Sequence, residues 1–181
     1  MKNRKLTWAQ VKAVLDGRPE KEVRELLRDL YRLSEENREF VHARLLTDPA
    51  AITPYLKTVE DGVYPDAFRG KPVCLADARR AITNYRRATG DPVGTLELMM
   101  RYVECGTEFT VDFGGVDERF SSSLTTMFDH AVQMVRALPE PLRLPHLKRL
   151  RHVVDRAGAV GWGYQDSISD ILGHAFPEDV A

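Results

Sequence analysis

The residues of this chain whose types and spacing best suit chemistry are carboxylates. Glu97, Glu104 and Glu108 recur at helical spacing with Arg101 among them, on the face opposite Leu96 and Met99 if one helix runs through Gly106. Asp112, Asp117 and Glu118 follow, and residues 91–120 hold seven acids and two bases, a local charge of −5. Carboxylates grouped this way can hold Mg²⁺ or Ca²⁺, or supply an acid–base pair. A metal needs a compact cage of oxygens, however, and no Asp-x-Asp-x-Asp-Gly spacing is present. The expectation is a solvated helix face on which Arg101 pairs with Glu97 or Glu104, with recognition of a basic partner second and a metal third. No metal or other cofactor is expected.

Two basic stripes oppose these acids. Arg79, Arg80, Arg86 and Arg87 share a helix with the apolar residues Ala78 and Ile82 and point away from them. Residues 141–157 carry Arg143, Lys148, Arg149, Arg151 and Arg156 against Asp155 alone, a local +4, with His146 and His152 interleaved. Clustered guanidiniums can track phosphates, because each neutralised phosphate releases counterions, and Tyr85 beside Arg86 could stack on a base. Ordinary solvated faces, or internal pairing of the basic helix with the acidic stripe, account for the same residues.

Other reactive types are scattered. His42, His130, His146, His152 and His174 show no His-Glu-x-x-His pattern, and Asp129 and His130, being adjacent, point to different faces of a helix. Ser121, Ser122 and Ser123 lack a Gly-x-Ser-x-Gly context and are expected to cap a helix. Cys74 and Cys105 are expected at helix ends as structural thiols, and Cys74, just before a helix start, is the better placed for activation. In the segment 161–166, glycines flank Trp162 and let the backbone approach a neighbour while the indole buries. That segment docks the last helix, with Asp166 or Ser167 as cap, or it forms a pocket wall with Tyr164 and Asp166. Tyr102 and Phe109 belong to the same candidate region.

The elements that must position these residues are helices. Thr7 and Gln10 form a capping box for a first helix that ends at Asp16 before Gly17. After Pro19, Val23, Leu26, Leu27 and Leu30 recur at i, i+3, i+4 and i+7 on one face. Ser34 caps a helix that stops before Asp48 and Pro49, and Thr53-Pro54 opens another towards Tyr64. The stretch 65–73 is a loop, the one place where the chain could divide loosely. Ala78, Ala81, Ile82 and Tyr85 form the stripe of a helix ended by Gly90. Asp91-Pro92 starts the next, with Leu96, Met99, Met100 and Val103 inward, and Gly106 interrupts it. Residues 107–113 alternate enough to pass for an isolated strand, before the turn at Gly114-Gly115. A long helix through Phe120, Leu124, Met127, Phe128, Ala131, Val135 and Leu138 breaks at Pro139 and Pro141. Another carries Leu147, Leu150 and Val154 to Gly158, and a last short helix passes Ile168 and Ile171.

The strings Thr89-Gly90-Asp91-Pro92, Leu98-Met99-Met100-Arg101-Tyr102-Val103-Glu104, Gly106-Thr107-Glu108-Phe109-Thr110 and Gly161-Trp162-Gly163-Tyr164-Gln165-Asp166 resemble an uncharacterised bacterial family, a domain-of-unknown-function group of small helical proteins. The opening is similar as well, in its Lys-Leu start and in Leu26-Leu27-Arg28-Asp29-Leu30-Tyr31. The likeness covers most of the chain and is most specific at 104–110 and 161–166; the chain departs from the pattern at 52–57, where it carries Pro54. The resemblance implies a small all-helical bacterial protein and brings no activity, cofactor or catalytic residue with it.

With 181 residues, 43% apolar and 29% charged, the composition is that of one ordinary globular domain rather than a disordered chain. A formal charge of −1 does not announce a polyanion ligand. No apolar run approaches the ~20 residues of a membrane helix, residues 1–5 have no signal-peptide core behind them, and two cysteines make no disulfide framework. A cytoplasmic protein off the membrane is expected. The fold class expected is all-α, a single-domain irregular antiparallel helical bundle over 1–181 whose helix pairs could stack. Because no catalytic constellation stands out, the reading leans away from an enzyme and towards an interaction module binding a protein partner or its own copy. Its site residues are Tyr102, Glu104, Glu108, Phe109, Trp162, Tyr164 and Asp166. The alternative is a nucleic-acid-associated protein using basic helices 79–87 and 143–156, through Arg79, Arg80, Arg86, Arg87, Lys148, Arg149 and Arg151. A hydrolase or metal-dependent enzyme on Glu104, Glu108 and Asp112 ranks third.

Overall fold

Caps, prolines and glycines place the helix ends, and a computed structural model describes residues 7–46, 48–66, 69–114, 117–159 and 163–177. α1 (Trp8–Leu15) starts where the Thr7 amide donates to Gln10 Oε1 at 2.9 Å. α2 (Glu20–Leu33) follows Pro19, and α3 (Glu35–Leu45) is capped by Ser34, whose Oγ accepts from the Asn37 amide at 3.1 Å. A 3₁₀ turn (Pro49–Ile52) leads into α4 (Thr53–Val63). α5 (Leu75–Thr89) ends on Gly90 at φ +66°, a left-handed conformation that glycine adopts without a Cβ clash. α6 (Pro92–Phe113) is capped by Asp91, which accepts from the Val93 amide at 2.9 Å, with Pro92 in the first turn. α7 (Glu118–Arg136), α8 (Glu140–Ala157) and α9 (Tyr164–Ala175) complete the chain. The fold is all-α: the described residues form nine α-helices and no strand. No helix among them is long and apolar enough to cross a membrane.

Several expectations are corrected. Residues 107–113 are the last two turns of α6, and Gly106 lies inside that helix rather than interrupting it. Its role is steric, since a Cβ there would stand 2.2 Å from Leu124 Cδ2 and 3.0 Å from Val63 Cγ1. The glycine lets α6 sit close to α7, and Cys105 is consequently mid-helix rather than at an end. Asp117, not Ser121 or Ser122, caps α7, its Oδ1 accepting from the Phe120 amide at 2.7 Å. At α9 the cap position is Gly163 at φ +72°, while Ser167 donates its hydroxyl to the Gly163 carbonyl at 2.9 Å and Asp166 stands exposed in the first turn.

Short connections make neighbours of consecutive helices, so α4 packs on α5, α6 on α7 and α8 on α9. α6 is the hub, touching α4, α5, α7 and α8. The fully buried side chains, among them Leu98, Met100, Tyr102, Phe120, Phe128, Leu150 and Ile168, gather around it. α3 leans on α5 and α2 on α3, but α1 and α2 contribute no buried residue.

Candidate functional site

The acidic stripe of α6 and the basic stripe of α8 face each other. Arg149 makes a double fork: Nε and Nη2 donate to the two oxygens of Glu104 at 2.7 and 2.9 Å, and Nη2 also donates to Glu97 Oε1 at 2.9 Å, with Nη1 on the other Glu97 oxygen. Two turns further along α8, Arg156 donates through Nε and Nη2 to Glu108 at 2.8 and 2.7 Å. Paired N–H···O⁻ bonds of this kind combine charge with fixed geometry. Hydrogen bonds from Arg149 hold the Glu97 carboxyl below the usual range, and those from Arg156 do the same for Glu108. Glu104, and then Glu97, raise the Arg149 guanidinium in return. With Arg149 34% exposed and Glu104 24%, the cluster is largely shielded, so it is screened less than a surface pair. Its chemistry is fastening. Arg149 has both faces of its fork on protein carboxylates, and Glu97, Glu104 and Glu108 accept from arginine rather than line a cleft.

Arg101 lies on the same helix but turns to α4, with Nε 3.1 Å from Glu60 Oε1. The pairing with Glu97 or Glu104 expected from spacing does not form, because α8 supplies the stronger partner. The N–H of Arg101 Nε is not aimed at an acceptor, so the contact is an ion pair without a hydrogen bond. On α5, Arg80 is held by Glu36 and Asp77 at 3.1 and 2.7 Å, whereas Arg79, Arg86 and Arg87 stand at exposed positions. Lys148 and Arg151 are exposed on α8, where Arg151 borders a groove against α9 with Asp155 and His174. The two basic helices both pack on α6 but have different further neighbours: α3 and α4 for α5, α7 and α9 for α8.

The aromatic candidates are packing residues in this fold. Tyr102 is fully buried, its hydroxyl 2.7 Å from Ser123 Oγ. Phe109 sits edge-on to Tyr64 and tilted against Phe113 and Phe120. Tyr164 is buried with its hydroxyl 2.9 Å from Thr107 Oγ1, tying α9 to α6. Asp166 is exposed, unlike these three, and Trp162 lies outside the described residues. Burial pushes the Cys105 thiol up to about 11, which leaves it protonated and unreactive near neutrality. Cys74 precedes α5, as expected, and its thiol donates to Asp77 Oδ2 at 2.9 Å. Among the described residues no group of three or more His, Cys, Asp or Glu side chains is arranged to hold a metal ion.

A different surface stands out once the fold is known. Val23, Leu26, Leu27 and Leu30 do share one face of α2, but that face is open: they are 37%, 46%, 46% and 46% exposed. Trp8, Val11, Val14 and Leu33 are exposed beside them. α1 and α2 enclose a groove of about 460 Å³ whose walls include Val11, Val14, Leu15, Val23 and Leu26. The arm is joined to α3. Tyr31 Oη lies 2.8 Å from His42 Nε2 with the rings 5.5 Å apart, and Asn37 donates to the Leu30 carbonyl at 2.6 Å. The apolar periodicity was the signal for this face; what it could not tell was that the described residues leave it about half exposed. No family model, curated protein or solved structure matches the chain.

Proposed function

We propose that the protein is a non-enzymatic interaction module that associates with a second copy of itself through the apolar face of α1 and α2. The observation that carries this reading is the open stripe Val23, Leu26, Leu27 and Leu30, set in a helix that supplies nothing to the core. Contiguous exposed apolar surface on a soluble fold marks an interaction site. The charge pattern selects the occupant. α2 carries four acids and four bases, so it has no net attraction for anionic lipid or nucleic acid, and two copies do not repel. Glu22 and Asp29 flank the stripe on one side, with Arg24 and Arg28 on the other. In a parallel pairing of two α2 helices, the acidic margin of one copy therefore meets the basic margin of the other.

The energetics are of the right scale. Covering a half-exposed Leu or Val gains about 1 kcal/mol, and two-fold symmetry counts each such residue twice. The total over both copies is comparable with the ~4–15 kcal/mol that association costs. Sedimentation velocity of the full chain between about 1 and 200 µM tests the reading across the relevant affinity range. A monomer–dimer transition is expected, abolished by the double substitution Leu26→Glu and Leu30→Glu with helicity unchanged. A wild-type protein that stays monomeric at the highest concentration overturns it. Salt-sensitive binding to labelled DNA or RNA, lost on reversing Arg86 and Arg87 to Glu, would instead favour the basic helices.

A further inference from the structure

Between α3, α4 and α5 lies a cleft of about 220 Å³, lined among others by Glu35, Glu36, Glu39, Tyr55, Asp77 and Arg80. It has four carboxylates and one guanidinium. Among the described residues Arg80 engages Glu36 and Asp77, and Asn84 adds an amide donor to Glu36. Neither Glu35 nor Glu39 has an ion pair or side-chain hydrogen bond among the described residues. Glu39 is half-buried, and its carboxyl is pushed up by that burial first and then by Glu35 and Glu36, with Arg38 offsetting part of the effect.

The second observation is independent of the acids. Tyr55 is 2% exposed, and its hydroxyl oxygen is buried with no hydrogen-bond partner. A buried hydroxyl left unpaired costs about 1–3 kcal/mol and is rare in native folds. Burial and the fields of Glu39 and Glu36 push this phenol up to about 12, so it stays neutral, an oxygen acceptor on the wall of an electron-rich cleft. Its ring is fixed by an edge contact with Tyr85, centroids 5.4 Å apart.

The cleft therefore carries three more negative charges than positive ones and, at the same place, a phenol oxygen that accepts no hydrogen bond. Water supplies a donor without the charge. A divalent ion supplies charge without the donor, and the carboxylates do not converge on a common metal position. We propose that the cleft binds an organic N–H cation, the guanidinium or primary ammonium end of an arginine-like ligand, with Glu39 and Glu35 as counter-charge and Tyr55 Oη accepting a hydrogen bond. Arginine in particular offers several donors in a planar fork, enough to serve Tyr55 and a carboxylate together. This site shares no residue with the α1–α2 face and stands or falls independently of it.

Calorimetric titration of the full chain at physiological salt tests the assignment, with agmatine as a free cation, N-acetylarginine amide as a peptide side chain, and Mg²⁺ and neutral butylurea as controls. Saturable binding of agmatine or of the arginine amide in the range of ~0.1–1 mM is expected, and which of the two binds tighter separates a small-molecule source from a protein one. Glu39→Gln should weaken it at least tenfold. Tyr55→Phe should weaken it several-fold while Tm stays level or rises, because the unpaired hydroxyl is removed; Glu35→Gln, at an exposed position where folding is not at stake, should weaken it with Tm unchanged. Failure of both guanidinium probes to saturate, equal binding by Mg²⁺, or undiminished affinity in Glu39→Gln overturns the proposal.

Discussion

α2 and α6 carry the same apolar template in opposite circumstances. Val23, Leu26, Leu27 and Leu30 on α2 and Leu96, Met99, Met100 and Val103 on α6 both repeat at i, i+3, i+4 and i+7. On α6 these four are at most 8% exposed; on α2 none is below 37%. The difference lies on the other faces. α6 adds Leu98, Tyr102 and Phe109 around its circumference and is enclosed by four helices, whereas the remaining faces of α2 are nearly all charged. Periodicity identifies which face of a helix seeks cover. It does not identify what provides the cover, and in α2 nothing among the described residues does.

The sharpest way to break this comparison is one substitution made in both helices. Leu96→Ala removes a fully buried side chain and should cost about 2–5 kcal/mol in denaturant melts, the range for a core cavity. Leu27→Ala, half-exposed, should cost less than about 1 kcal/mol when measured at low micromolar protein, with a larger loss appearing only as concentration rises and association contributes. Equal costs at low concentration would mean that α2 belongs to the core after all.

Next in size is the ion cluster that fastens α6 to α8. Arg149→Ala strands Glu97 and Glu104 without their cation, and because the cluster is one-third exposed the cost should fall at about 1–3 kcal/mol, between a surface pair and a buried one. The pH dependence has a definite sign. The folded-state pKa values of Glu97 and Glu108 are lowered, so their contribution is fully present above the unfolded value of about 4.5 and is lost as pH falls through the lower folded values. Urea melts at pH 7 and below pH 4 should show a steeper acid loss for wild type than for Arg149→Ala, and parallel curves would sink the assignment. Below the arginine comes Tyr164→Phe, which leaves the buried Thr107 hydroxyl without Tyr164 and should cost about 1–2 kcal/mol by thermal melt.

Local punctuation was legible in the residues: Ser34, Gly90 and Asp91-Pro92 stand where the structure puts caps and stops, since these effects depend on a few neighbouring positions. Gly106 was not legible, because a glycine reads locally as a break, and only Leu124, far along the chain, shows that it is a point of close approach. The two charge stripes were visible one by one, and their mutual pairing was among the arrangements the residues allowed. Which arrangement holds depends on contacts 45 to 52 residues apart, set by the packing of α8 on α6. The acidic cleft had one trace in the sequence. Glu35 and Glu39 are like charges at i, i+4 on one helix, with Glu36 between them, a crowding that costs stability unless something answers it. Tyr55 gave no comparable sign, since a tyrosine on an apolar stripe says nothing of where its hydroxyl ends.

The connection between α4 and α5 is drawn together at its base. The Cys74 amide donates to the Gly62 carbonyl at 2.8 Å, and a Cβ on Gly62 would stand 2.9 Å from the Cys74 carbonyl oxygen, so the strand of chain that leaves α4 returns to almost the same point. At the far end Gly70 has φ +68° and open space where a side chain would project. Lengthening a segment whose ends are already joined costs only about 0.6 kcal/mol for each doubling. For an engineer this is the port of the molecule: an epitope or a fluorescent passenger inserted beside Gly70 enters at a residue that lines neither the α1–α2 groove nor the acidic cleft.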